Sequence, residues 1–195
     1  KNSKLKLKGI YTHFCSQDNT QQKEIFKNII DTYFYQDKLI IHSQASNFIN
    51  EELSYCNTIR VGLALYGYNP YLELKPSLRL ICPIIRIQKI NKDVEVGYDY
   101  IEKTPNNGYI LTLPFGYSHG LSRLKTLCFF YQNKIYYQIG KQCMDMTMFF
   151  SKEDIPLEEV EIISSNNTNN LISLNNENIY YILSSLSPNI KRIYK

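Results

Sequence analysis

Residues 8–42, KGIYTHFCSQDNTQQKEIFKNIIDTYFYQDKLIIH, decide the architecture of the first part of the chain. Lys8 to Phe14 reads as a short strand that ends in polar residues. Asp18, Asn19 and Thr20 then offer side-chain oxygens to the unpaired amides of a helix start. Ile25, Phe26, Ile29, Ile30, Tyr33 and Phe34 recur at helical spacing, which predicts one apolar face on a helix from about Gln21 to Tyr35. Lys38 to Ile41 begins a second strand, ending at His42. Strands alternating with helices in this way indicate parallel pairing.

Working outward, a short helix is expected over Asn47 to Tyr55, and Ile59 to Tyr66 (IRVGLALY) reads as a third strand. A parallel sheet of three βα units exposes both edges and half of its apolar surface. The remaining strands of a doubly wound sheet or a closed barrel are therefore expected upstream or from a partner. After Pro70 the pattern becomes strand-rich: Leu80 to Ile90, Asp93 to Tyr100, Tyr109 to Leu113, Met146 to Phe150 and Val160 to Ile163. Leu127 to Gln132 and Ile135 to Gly140 flank a Gln-Asn-Lys turn and read as a hairpin. A polar, Asn-rich connection (Ser164 to Asn170) precedes a final helix, Asn176 to Leu186. The fold class is thus α/β plus all-β, with an α/β piece over residues 1–76 and a β domain over 77–195.

Composition narrows the function. Of 195 residues 44% are apolar, enough for a real core, and 22 basic against 18 acidic residues give a net charge of only +4. No block of like charge marks nucleic acid as a partner. Five cysteines, an odd number with no C-x-x-C pair, argue against a disulfide framework and a zinc site and for free thiols in a reducing compartment. No metal site is expected. The first fifteen residues lack the apolar core of a signal peptide, and no apolar stretch reaches the roughly 18 residues of a membrane span. A soluble, cytoplasmic protein is the expectation. The first residue is Lys rather than Met, as in a piece of a longer protein.

Polar residues gather where the parallel strands are expected to end: His13 after the first, His42 and Ser46 after the second, Arg60 and Gly62 within the third. In a βα barrel that end carries the site, and phosphate often binds after the last strands. A serine hydroxyl with amides at a glycine suits phosphate. Each residue alone is weak: a strand-end histidine is more often structural, and a strand glycine often only permits close packing. In the β domain Tyr98 follows a glycine and Tyr117 lies in PFGYSHG, but with 17 tyrosines in the chain either could simply pack.

Taken together, the segments resemble the alanine racemase family. GIYTHF is similar to G-[LIV]-x-T-H-F, IHSQASN to H-x-x-N-S, and RVGLALYGYNP to R-P-G-[IL]-A-L-Y-G-x-x-P. VGYDY fits V-[GS]-Y-G, LPFGYSHGLSR resembles L-P-[IV]-G-Y-A-D-G-x-x-R, and GKQCMDMTMF is close to G-[RK]-x-C-M-D-x-x-[ML]. The ordered set is far more specific than any single match. RIYK at 192–195 resembles the family's carboxyl end. The fold implied is the last three βα units of a (β/α)8 barrel followed by the carboxyl-terminal β domain. The activity implied is interconversion of L- and D-alanine with pyridoxal 5'-phosphate, for peptidoglycan precursor supply.

By the same resemblance Tyr98 is the base on the L-alanine side, nineteen residues before Tyr117. Met144 offers a backbone amide to the substrate carboxylate, and Tyr117 lines the substrate's way in. Arg60 donates to the pyridine nitrogen, and His42 supports Arg60. Ser46, with the amides of Gly62 and Leu63, holds the phosphate, and His13 lies against the ring. A tyrosine with an ordinary pKa of about 10 is a poor base at neutral pH, so it needs a nearby cation. A guanidinium donates without giving up its proton, which limits the electron sink and discourages side reactions. The family forms a head-to-tail homodimer with shared active sites.

The departures are specific. The lysine that holds the cofactor in the family lies in its amino-terminal part, as does an arginine that polarises the tyrosine. Neither has a counterpart here, so the chain by itself is expected to be inactive. Val61 replaces Pro, Ala45 replaces the Asn before Ser46, Asp99 stands where Gly is common, and His119 replaces the Asp of G-Y-A-D-G. Pro188 falls where some members place a phosphate-binding Tyr. The alternatives are an inactive or split-gene half-protein acting as an assembly partner, a serine racemase of the same family, and a decarboxylase of the same fold.

Overall fold

Gly9 is where the first two strands meet: a Cβ there would lie 2.4 Å from the carbonyl oxygen of Ile40. That close approach seats β1 (Gly9–Tyr11) beside β2 (Ile40–His42) in parallel, with Gly9, Ile10 and Tyr11 opposite Ile40, Ile41 and His42. The structure is a computed structural model and describes residues 4–14, 16, 18–34, 38–69 and 71–194. The chain divides into two units, Lys1–Ser77 and Leu78–Lys195.

In the first unit, α1 (Thr20–Tyr33) connects β1 to β2 and buries Phe26 and Ile30 against Leu39 and Ile41, with Ile10, Phe34 and Tyr55 packed around them. The expected βαβ unit is therefore present. Asn19 takes the cap position without a side-chain bond, and Asp18 Oδ1 accepts from the Thr20 amide at 3.2 Å. The expected end of the helix, Tyr35, lies outside the described residues.

Two expectations for this unit fail. Ile59 to Tyr66 is not a strand. The amides of Asn57 and Thr58 both donate to Ile41 O, and that of Arg60 donates to Gln44 O, so the chain follows the end of β2 without forming a ladder. Gly62 then turns it (φ −125°, ψ −83°) into a 3₁₀ turn, Leu63–Tyr66, closed by Gly67 at φ 82°. Of the three expected βα units only two strands are formed among the described residues. The helix expected over Asn47 to Tyr55 shrinks to one 3₁₀ turn, Ser46–Phe48. Asn47, Asn50 and Ser54 favour side-chain bonding over helix, and Gln44 Nε2 donates to the carbonyl of Glu51.

The second unit is mostly β. Its central sheet runs β10 (Thr147–Ser151), β7 (Gly108–Leu113), β4 (Arg86–Ile90), all antiparallel. β3 (Leu80–Pro83) pairs with β11 (Glu159–Ile163), β5 (Glu95–Val96) with β6 (Glu102–Lys103), and β8 (Cys128–Tyr131) with β9 (Lys134–Tyr137). The β8–β9 turn places Gln132 and Asn133 at φ 47° and 60°, the left-handed pair that suits strand twist in a two-residue hairpin.

The run expected as one strand from Leu80 to Ile90 is two, in different sheets. Pro83 offers no donor, after which Ile84 N bonds Glu158 O and Ile85 N bonds Thr112 O, so the chain crosses from one sheet to the other. Asp93 to Tyr100 shortens to β5, because Gly97, Asp99 and Tyr100 all take positive φ and curl the chain into a turn. The Asn-rich stretch, expected as a connection, leads into α2 (Thr168–Asn175), and the final helix is shorter than expected, α3 (Ile179–Ser185). Asn176 at φ 51° ends α2, and Asn178 caps α3 by accepting from Tyr181 N at 2.9 Å.

The core between these elements includes Leu111, Leu113, Leu127, Phe129, Phe149, Ile162, Ile163, Leu171 and Ile182, all fully buried. Asn167 sits among them at 0% exposure. Its Nδ2 donates to Cys128 O and Ile162 O, both at 2.7 Å, and so pins β8 to β11 beside the start of α2.

Candidate functional site

Each unit holds one group of the expected residues. In the first unit, all of them lie where β1 and β2 end. Arg60 reaches back to β1: its Nη2 donates to Thr12 O at 3.2 Å and to His13 Nδ1 at 2.8 Å. Its guanidinium stands 5.2 Å from the centre of the Tyr11 ring, and that ring stacks on His42 at 5.2 Å and 10°. Burial, and secondarily the Arg60 charge, pulls the His42 pKa below the ordinary imidazole value. Arg60 Nε and His42 Nδ1 are both buried without a hydrogen-bond partner.

Beside this cluster Ser46, 4% exposed, holds its hydroxyl 3.0 Å from Gly62 N and 3.1 Å from Ala64 N, accepting from both. The second amide is Ala64's; Leu63, also expected here, lies between them with its side chain buried. Asn69 Nδ2 donates to Ser46 O and fixes the turn from behind. A Cβ added at Gly62 would meet nothing within 4 Å. Ser46 Oγ thus occupies both amides, and the side beyond Gly62 is open space; an anion reaching this turn would meet the Ser46 hydroxyl first.

The sequence reading missed Tyr11, which links His42 to Arg60. It also missed Gln22, whose Nε2 donates to Thr12 Oγ1 at 2.6 Å and His13 O at 2.8 Å. The available signal was position: Gln22 falls in the first turn of α1, directly after the strand end it braces.

In the second unit, Tyr117 and Met144 are brought together by main chain. Tyr117 N donates to Cys143 O at 3.1 Å and Ser118 N to Met144 O at 3.0 Å. Gly116 lies so close that a Cβ would stand 2.3 Å from both carbonyl oxygens. Ser118 Oγ donates to Asp145 Oδ1 at 2.8 Å. Tyr98 stands on the β5–β6 turn, 67% exposed. Asp99, next to it, pairs with Lys141 Nζ at 2.8 Å. The hydrogen bond that Lys141 donates to Asp99, then the carboxylate's charge, pushes the Lys141 pKa up. Lys141 and Tyr117 line one open cleft of about 480 Å³, together with Glu102, Gln138 and Gln142. Lys141 lay inside the GKQCMD stretch, yet nothing in the spacing marked it. Among the described residues no group of three or more His, Cys, Asp or Glu is arranged to hold a metal, and no helix is long and apolar enough to cross a membrane.

Comparison with known proteins gives a single answer. Residues 77–194 match the model of the alanine racemase carboxyl-terminal domain, and residues 1–70 match that of the amino-terminal domain. An alanine racemase of Rickettsia bellii is 33% identical over 213 aligned positions, covering 97% of this chain and 50% of its own length. The solved alanine racemase of Clostridium difficile 630 superposes with a TM-score of 0.85 at 26% identity, over 97% of this chain and 55% of its own. That of Bartonella henselae, described with covalently bound pyridoxal phosphate, gives 0.84 at 21% identity over 98% of this chain and 58% of its own, a likeness of fold. The chain spans about half the length of the curated relatives it matches.

Proposed function

The chain belongs to the alanine racemase family, and from that premise we propose that it is the carboxyl-terminal part of a pyridoxal-phosphate-dependent alanine racemase. The first unit is then the end of a (β/α)8 barrel and the second the β domain, divided near residue 76. The whole enzyme is a cytoplasmic homodimer that supplies D-alanine to peptidoglycan. The observation that carries this reading is the Ser46 hydroxyl seated on the Gly62 turn, with the buried, unpartnered Nε of Arg60 two residues earlier in the chain.

The residues fit the cofactor. Ser46 and the amides at Gly62 and Leu63 would hold its phosphate, the Gly62 amide giving up its bond to Ser46 Oγ to do so; Arg60 would donate to its pyridine nitrogen, and His13 would lie against its ring. His42 supports Arg60 through Tyr11, and its depressed pKa keeps a second positive charge away from the guanidinium. When bound, pyridoxal phosphate supplies the electron sink that makes the Cα proton of alanine removable. Tyr98 takes or returns that proton on the L-alanine face. Met144 binds the substrate carboxylate through its backbone amide, and Tyr117 lines the approach.

These 195 residues carry no counterpart of the family's cofactor lysine, so by themselves they do not racemise. The test is reconstitution. The chain is mixed with pyridoxal phosphate and L-alanine, alone and with an amino-terminal racemase half, and D-alanine is measured. The expected result is activity only in the mixture, lost in Tyr98→Phe and in Ser46→Ala at limiting cofactor. A stable yellow complex of the chain alone, bleached by replacing one lysine, would overturn the expected inactivity. Reconstituted activity indifferent to both substitutions would overturn the site.

A further inference from the structure

The turn that presents Tyr117 is closed by a side chain that the racemase reading leaves without a task. His119 N donates to Gly116 O at 3.0 Å, and Gly116 N donates to His119 Nδ1 at 3.1 Å. The two ends of the turn are thus joined in both directions. The ring stacks on the buried Phe115 at 5.6 Å and 27°. Phe115 is itself held, its carbonyl accepting from Thr147 Oγ1 at 2.5 Å. On the other side His119 O accepts from Ser187 N at 2.9 Å, and Gly120, at φ 111°, lies where a Cβ would meet Ser185 O at 2.3 Å.

Nδ1 accepts the Gly116 amide, so the ring offers a lone pair there and its hydrogen sits on Nε2. Ser118 Oγ, which donates to Asp145, is 3.4 Å from the same Nδ1. His119 therefore touches the turn that carries Tyr117 and the hydroxyl that reaches the Met144–Asp145 segment. An aspartate, which stands here in the motif this stretch resembles, could offer an oxygen to the same amide but no ring to stack.

We propose that His119 is a positioning residue: its Nδ1 fixes the Gly116–Gly120 turn and with it the spacing of Tyr117 from Met144. The functional half of the proposal rests on the reading that Tyr117 lines the substrate's path. Two substitutions separate its parts. His119→Phe keeps a ring to stack on Phe115 and removes the acceptor. His119→Asn keeps an acceptor and removes the stack.

Amide hydrogen exchange on the full chain is the first readout. In His119→Phe the Gly116, Tyr117 and Ser118 amides should exchange about tenfold faster, and in His119→Asn within about twofold of the parent, the scale of one net hydrogen bond. The reverse pattern, or no change in either variant, overturns the proposal. In the reconstituted enzyme His119→Phe should raise KM for alanine about tenfold with kcat nearly unchanged, and His119→Asn should restore it. Faster exchange with an unaltered KM overturns the link to substrate while the clamp stands. The expected exchange pattern in the two variants, together with a reconstituted parent that makes no D-alanine, overturns the racemase reading instead.

Discussion

Replacing Asn167 with alanine should cost more than any other single polar substitution in the second unit. The side chain is fully buried and its Nδ2 serves two main-chain carbonyls, Cys128 O and Ile162 O, at 2.7 Å each. Its Oδ1 faces Cys128 Sγ at 3.5 Å, a weak donor. Truncation leaves both carbonyls buried and unserved. Each such loss costs about 1–3 kcal/mol, so the pair should cost about 3–4 kcal/mol, a large share of the ~5–15 kcal/mol that holds a domain folded. Asn167→Leu restores the volume without the donors and should recover less than about 1 kcal/mol. Asn167→Asp should be no better than alanine, since a carboxylate can only accept. The assay is urea unfolding of the full chain followed by tyrosine fluorescence, with the denaturant slope checked for constancy. A loss under about 1 kcal/mol for the alanine variant, or a leucine variant as stable as the parent, would refute the claim that the two donated bonds hold β8 to β11.

Three further outcomes are expected. Gly116→Ala forces a Cβ to 2.3 Å from the Cys143 and Met144 carbonyl oxygens, so the two turns must part; the Tyr117 and Ser118 amides should lose their exchange protection while the far hairpin β8–β9 keeps its own. The His42 pKa is lowered on folding, so the unfolded chain binds a proton first. Stability is then full above pH ~6.5 and falls as pH drops through the window below it, and His42→Gln should flatten that slope in urea titrations at stepped pH. Burial pushes the Cys82 thiol up to about 12 and Cys128 up to about 11. Both should resist iodoacetamide at pH 8 until the chain unfolds, while the half-buried Cys143 is alkylated before either, as read by peptide mass spectrometry.

Patterns that depend on near neighbours in the chain were legible. The spacing of Ile25 to Phe34 marked α1, the apolar run Tyr109 to Leu113 marked β7, and the Gln-Asn-Lys turn marked the β8–β9 hairpin. What escaped depends on partners distant in sequence. IRVGLALY has the composition of a strand, yet the Ser46 hydroxyl, sixteen residues away, captures the Gly62 amide and the segment turns. Leu80 to Ile90 looks continuous because nothing in it announces that its halves pair with β11 and β7. Asn-rich sequence suggested a loop around Asn167; instead the Thr168 amide and hydroxyl donate to Ser164 O and the Asn167 side chain anchors to the Cys128 and Ile162 carbonyls, and a helix starts there. The site residues were named through ordered motifs. Their mutual contacts, such as Tyr11 between His42 and Arg60, required coordinates.

The Tyr117 turn and the Met144 turn are joined by amide-to-carbonyl bonds and by a glycine with no room for a side chain. Such a frame is indifferent to what it displays. The side chains at positions 117 and 144 can be exchanged while the scaffold between them stays put, provided Gly116, Ser118 and His119 are left alone. Variants at these two positions should fold alike and differ mainly in the surface they present.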